Sequence, residues 1–518
     1  MTKISLAKPC LGLRLSGTDH ELMKPRGMPI TDSASMMRLL LITCLTSLAI
    51  PSQSQVSNSN IDRNDLKLFI RILSADSLEG RGTGTAGQKK AEKFIADRFQ
   101  RLGLQPYWQN SYLERFKLPQ TYWGQVYLKT PNATLRNFEN MVFQGTHVQN
   151  EETEKEVVFG GYGTEEELNQ IEVRGRFVLL FVKNLRSSYE INSKLKQRNA
   201  AGLILANPAI ESQFESIRST LKDHALQKRL ALQDKDSTRF KFLGADTINF
   251  LNTITIPNSV VKAILGRSMK ELIRLQETGR IREVPLAKVS VKFEFIREEL
   301  ETSNVVGVIP GRSKQSIIIS AHYDHLGKSG KEYFPGADDN ASGTAALLEL
   351  AEEFSKSTDL EYNLIFLATS GEEAGLLGSL YHVSQPDFDP TAIVCNLNLD
   401  MISRKDEQHQ NEKYVYCIGT DQSAAIDRLI RKADRLFDPC AFDCSLNNSK
   451  DPAGLFTRSD QYSFYKKGII AIHFFSGLHG DYHKPTDTVD KINFTNLENR
   501  VKQISLVVEL LQKEGLKN

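Results

Sequence analysis

From Asn304 onward, short and almost wholly apolar runs alternate with longer segments whose apolar residues recur every three or four positions. "SIIISAH", "NLIFLAT", "AIVCNLNLD", "YVYCIG" and "GIIAIHFF" are too short and too uniformly apolar for amphipathic helices and read as buried strands. "TAALLELAEEF", "GLLGSLYHV", "SAAIDRLIRKADRLF" and "FTNLENRVKQISLVVELLQKEG" read as helices, with Ala345, Leu348 and Ala351 on one inward face of the first. Strands apolar on both sides, alternating with helices, predict an α/β fold: a doubly wound, mostly parallel sheet with helices on both faces.

Upstream the pattern differs. "DLKLFIRILSADSLEGRGTGTAGQKKAEKFIADRFQRLGL" reads as helix, Gly-rich turn, helix, with Ala91, Phe94, Ile95, Phe99 and Leu102 on one face and Gly103 as C-cap. Residues 120–298 carry short β-type runs such as "EVVFGGYG" and "RFVLLFV", and their two histidines, His147 and His224, are isolated from one another. The expected organisation is a helical lead-in over 56–119, an inserted β-rich domain over 120–298 and the main α/β domain over 299–518. At 518 residues the chain is long enough for several such units.

Residues 1–55 read as a leader. "MMRLLLITCLTSLAIPSQSQ" has one basic residue, an apolar core and small polar residues after it, a secretory pattern starting at Met36 or Met37. Its apolar run is too short for a permanent membrane span, so the expected location is secreted or periplasmic. Removing the leader takes Cys10 and Cys44 and leaves Cys395, Cys417, Cys440 and Cys444. Cys395 and Cys417 sit in strand-like runs and read as buried thiols, whereas "CAFDC" could close a small loop. Lys and Arg number 65 against 63 Asp and Glu, a net charge of +2, which gives no electrostatic footprint for nucleic acid or an anionic membrane.

In open α/β sheets the working loops lie at the carboxyl ends of strands, and here those ends are rich in one kind of chemistry. "AHYDH" brings His322, Asp324 and His325; "GADDNASG" brings Asp338 and Asp339; "SGEEAG" brings Glu372 and Glu373. Asp400 follows "AIVCNLNL", and His479 and His483 follow "GIIAIHFF". Imidazole with carboxylate and no thiolate is the donor set of a hydrolytic zinc site, and there are enough donors for two ions with a bridging carboxylate and water. The pair "EE" fits one glutamate on metal and its neighbour moving protons. Asp324, two residues after His322, is placed to accept from that imidazole's second N–H.

The order and spacing of "HYD", "GADDNASG", "GEEAGLLGS", "NLDM" and "DYHKPTDT" resemble the M28 family of dizinc aminopeptidases, from Leu66 to the C-terminus. "VFGGYGTEEEL" and "VRGRFVLLFVKN" resemble the protease-associated (PA) domain inserted in many members. The resemblance implies two zinc ions per chain and peptide or protein substrates. It implies Asp339 as the bridging ligand, His322 and Asp400 on one ion, Glu373 and His483 on the other, and Glu372 as general base. It also implies a cis peptide from Asp339 to Asn340 and a Cys440–Cys444 disulfide. One motif departs from the pattern: where relatives read Ser-Asp-His, this chain reads Ser459-Asp460-Gln461, which touches no ligand but puts substrate-pocket contacts in question.

Taken singly, Asp338 reads as a loop acid accepting backbone N–H groups, Asp487 as a turn-former, and His325, His473 and His479 as structural. Two other activities share the scaffold. A carboxypeptidase would keep the same metal residues, while a one-zinc glutaminyl cyclase or a non-catalytic binding module would have lost some of them.

Overall fold

The computed structural model describes residues 59–516, apart from 109, 146, 184–185, 226–228, 231, 233–249, 448–450 and 452. The leader expected over residues 1–55, with Met36, Met37, Cys10 and Cys44, lies outside the described residues, as does His224's side chain. No helix of the described residues is long and apolar enough to cross a membrane.

The strand Ser316–His322 lies mid-sheet and is buried along its whole length. It pairs in parallel with Asn363–Thr369 on one side and Ile393–Leu399 on the other. Ala471–Phe475 continues the parallel order, and Tyr414–Ile418 turns antiparallel before the short edge strand Ala441–Asp443. Because Ser316–His322 is covered on both faces, its Ile317, Ile318 and Ile319 are all buried, which is what an uninterrupted β-branched run requires. The helices Gly343–Ser355, Ala424–Leu436 and Phe494–Glu514 cover it, with Ala345, Leu348 and Ala351 in the core beside Leu497, Val501 and Ile504.

Two long strands extend this sheet. Leu113–Thr130 and Ala287–Ile309 pair antiparallel from Leu113↔Val305 to Lys129↔Ser290, with one irregularity near Phe293. Their far ends join a second region of the same sheet. There Gln149–Phe159, Phe177–Phe181, Gly202–Ala206 and Thr253–Thr255 run parallel in register. Phe143, Phe159, Phe177, Phe181 and Phe293 build a separate core there. The β-type runs read from sequence in this region alternate with the helices Arg186–Gln197, Gln213–Ala225 and Met269–Glu277. Parallel neighbours cannot be joined by tight hairpins, so crossover helices are required between them.

Truncating a core side chain of the Gly343–Ser355 helix tests how far the sheet depends on this layer. Leu348 is fully buried, so Leu348→Ala is expected to lower unfolding free energy by about 2–5 kcal/mol in urea titration.

Candidate metal centre

The parallel strands end at one edge, and the polar residues that follow them converge there. His322 is the last residue of its strand, with its carbonyl accepting from Thr344 Oγ1 at 2.8 Å. Asp400 directly follows Ile393–Leu399, and its N–H donates to Phe474 O at 3.1 Å. Glu372 and Glu373 lie in the turn after Asn363–Thr369, and His483 in the loop after Ala471–Phe475.

Asp339 sits in the loop that begins at Gly336. Gly336 has φ 55°, and a Cβ there would stand 2.1 Å from Asp339 O and 2.5 Å from the His325 ring. Both conditions require glycine. The Asp339–Asn340 peptide is cis, as the family resemblance implies. Asn340 ties the loop to the neighbouring strand: Nδ2 donates to Leu399 O at 2.9 Å, and Oδ1 accepts from Gly343 N and Met401 N.

The two oxygens of Asp339 face different partners. Oδ1 lies 3.5 Å from His322 Nε2, which lies 3.3 Å from Asp400 Oδ1. Oδ2 lies 3.2 Å from His483 Nε2, which is also 3.2 Å from Glu373 Oε2. Donors on a tetrahedral zinc with bonds near 2.0–2.1 Å stand about 3.3 Å apart. Both groups therefore have the spacing of a metal's coordination shell, and the all-nitrogen-and-oxygen donor set suits zinc. His322, Asp339 and Asp400 form one candidate metal-holding group among the described residues, and His325, Asp339 and Glu373 another.

His325 and His483 thus compete for one position. His325 Nδ1 is 2.7 Å from Glu373 Oε1 but 3.8 Å from Asp339 Oδ1. The first distance is that of a hydrogen bond and too short for two donors on one ion. His483 faces both carboxylates equally, which fits a ligand, while His325 fits a hydrogen-bond partner that orients Glu373.

The adjacent glutamates are driven apart. Burial pushes Glu372 well above the ordinary carboxyl range, reinforced by Glu373 and Asp400 against the pull of His322. Burial also acts on Glu373, but hydrogen bonds from His325 and His483 outweigh it and hold that carboxyl low. Two neighbouring acids with opposed environments are the arrangement of a proton carrier beside an anion. Glu372 Oε2 lies 3.9 Å from His322 Nε2. Glu372, Asp339, Glu373, Asp400 and His483 line one open recess with Met401, Leu455, Phe475, Leu478 and Tyr482.

Asp324 acts differently from its sequence expectation. His322 Nδ1 meets the backbone carbonyl of Asp324 at 3.2 Å, whereas the Asp324 carboxylate is 3.8 Å away. That carboxylate instead accepts from Thr83 Oγ1 at 2.9 Å and from the Glu372 N–H at 3.2 Å. It fixes the backbone that carries the two glutamates. Asp338 points away from the centre: Oδ1 accepts from Ser403 N, Ser403 Oγ and Ser342 Oγ, and Oδ2 faces His479 Nε2 at 3.2 Å. Gln461 occupies an internal position, accepting from Asn398 Nδ2 and donating to Phe456 O. His473 is buried beside the recess, stacked on Phe475.

A sheet of this topology with a two-group nitrogen and oxygen centre at its carboxyl edge has the architecture of a zinc exopeptidase. A solved zinc aminopeptidase from Bacillus subtilis shares the fold, with a TM-score of 0.52 at 19% identity over 89% of this chain and 97% of that one. Residues 304–508 match the model of Peptidase family M28. Aminopeptidase YwaD of Bacillus subtilis (strain 168) is 27% identical over 226 residues, 41% of this chain and 46% of that protein. The chain thus spans about half of that relative. A probable leucine aminopeptidase of Trichophyton verrucosum is 24% identical over 301 residues, 56% of this chain and 79% of that one.

Two buried groups that hold the centre escaped sequence reading. Asp487, expected only to form a turn, accepts through Oδ2 from the N–H groups of Asp338 at 3.0 Å and Asp339 at 3.1 Å. Arg81, fully buried, donates to the carbonyls of Leu73, Tyr323, Pro335 and Gly336. Burial brings its pKa down to about 10, against the pull of Asp339, Asp324 and Asp487. Neither interaction has a local spacing signal, because 148 residues separate Asp487 from Asp339 and 254 separate Arg81 from Pro335.

Removing the acceptor that orients the Asp339 loop should loosen the centre without removing a donor. Asp487→Ala is expected to weaken zinc binding roughly 10–100-fold in a competitive chelator titration, with far-UV circular dichroism unchanged.

Proposed function

We propose that this chain is a zinc-dependent aminopeptidase that removes N-terminal residues from peptides or proteins. The observation that carries the reading is the division of Asp339, one oxygen toward His322 and Asp400 and the other toward His483 and Glu373. In this reading His322 and Asp400 would hold one zinc and Glu373 and His483 a second, with Asp339 available to both. Zinc supplies polarisation of the scissile carbonyl and acidifies water.

The chain's own residues do the rest. Glu372, raised by burial and 3.9 Å from His322 Nε2, takes the proton of the attacking water and gives it to the leaving amine. Asp324 holds the Glu372 N–H, so the carboxyl stays over the recess. Met401, Leu455, Phe475, Leu478 and Tyr482 present an apolar wall to the first residue of the substrate. Similarity to proteins named as aminopeptidases favours a free N-terminus over a free C-terminus as the recognised end. The leader pattern supports export, and the segment 120–298 is assigned as a PA-like insert between the lead-in 56–119 and the catalytic part 299–518.

Glu372→Gln is expected to keep two zinc ions per chain by metal analysis while kcat falls roughly 10²–10⁴-fold on aminoacyl-p-nitroanilides. Near-normal turnover with both ions bound would remove Glu372 from the base role. Hydrolysis of N-acetylated peptides at the rate of free ones would overturn the aminopeptidase assignment.

A further inference from the structure

The four described cysteines are unbonded, and their placement does not support the Cys440–Cys444 bridge that the family resemblance implies. These two flank the extended strand Ala441–Asp443. At about 3.3 Å per residue an extended chain separates positions four apart by roughly 13 Å. Disulfides need Cα atoms within about 7 Å. The Cys440 thiol is buried and turned toward Ala441 O, 3.9 Å away.

Cys444 has a different neighbour. The edge strand pairs in parallel with Tyr414–Ile418 in the register Tyr414↔Ala441, Val415↔Phe442, Tyr416↔Asp443. One step further along this ladder, Cys417 and Cys444 stand opposite each other. Register neighbours in a parallel pair lie about 4.8 Å apart with side chains on the same face. That separation is inside the window for a disulfide. Both thiols belong to the main core, Cys417 buried and Cys444 packed at its margin. The turn after Cys444 is already tied to the end of the Cys417 strand. Asn447 Oδ1 accepts from Gly419 N at 2.8 Å, and Asn447 Nδ2 donates to Thr420 Oγ1 at 2.8 Å.

We propose that Cys417 and Cys444 are an oxidisable pair, and that their disulfide staples the edge strand Ala441–Asp443 to the sheet. The neighbouring Cys417 thiol favours the Cys444 thiolate, while burial holds Cys417 protonated. With a small-molecule disulfide such as oxidised glutathione as electron acceptor, the partly exposed Cys444 thiolate attacks one sulfur. This forms a mixed disulfide and releases one thiol. Cys417 then loses its proton and attacks the Cys444 sulfur, expelling the second thiol. Two cysteine thiols and one external disulfide become one protein disulfide and two external thiols.

The full chain is incubated with oxidised glutathione, remaining thiols are alkylated, and the protein is digested with an Asp-N protease under non-reducing conditions. Cleavage before Asp443 separates Cys440 from Cys444, so mass spectrometry distinguishes the pairings. A crosslink between the Cys417 and Cys444 peptides is expected, retained in Cys440→Ser and absent in Cys444→Ser. The oxidised protein should melt roughly 5 °C above the reduced one. A crosslink to Cys440, or full alkylation of Cys417 after oxidation, would overturn the pairing. An unchanged melting temperature would overturn the stapling.

Discussion

The structure is organised around a concentration of buried negative charge. Asp324, Asp338, Asp339, Asp400, Asp460 and Asp487 are all nine-tenths or more removed from solvent, with Glu372 and Glu373 between them. Carboxylates cannot be desolvated together unless positive charge or dense hydrogen bonding answers them. The protein uses both. Asp338, Asp487 and Asp324 each accept from N–H or hydroxyl donors. Asp339, Asp400 and Glu373 instead face imidazoles at the spacing of a metal's ligands. Arg81 supplies a fixed internal cation that donates to four backbone carbonyls, so it adds charge without occupying a carboxylate.

This division of labour separates carboxylates that look alike in sequence. Asp338 and Asp339 are neighbours, yet one is closed off by serines and His479 and the other opens toward two histidines. Glu372 and Glu373 are likewise neighbours, and the difference is again the partner: His325 and His483 reach only the second. The apolar wall of the recess then gives the centre a direction, a closed side against the sheet and an open side at His483, whose side chain is 34% exposed.

Much of the main domain was legible because its signals are local. Uninterrupted β-branched runs, helical periodicity and the placement of acids and histidines after each strand all lie within a few residues of one another. The departures share one cause. Asp324 was expected on the His322 ring, but the strand's end turns its backbone carbonyl there and its side chain toward Glu372. The crossover helices among the β-type runs of the second sheet region follow from parallel pairing, which no short window of sequence reveals.

The sequence by itself determined the alternation of strands and helices, the strand-end positions of His322, Asp339, Glu372, Glu373, Asp400 and His483, and hence the kind of donor set available. It did so because burial pattern and donor identity are properties of short segments. Only the tertiary structure decided which oxygen of Asp339 faces which imidazole, that His325 sits at hydrogen-bond rather than ligand distance, and that Arg81 and Asp487 brace the loop. It also decided that Cys444 stands opposite Cys417 rather than near Cys440. Each of these depends on strand register and loop closure across many tens of residues, where the chain's geometry and not its local composition sets the distance.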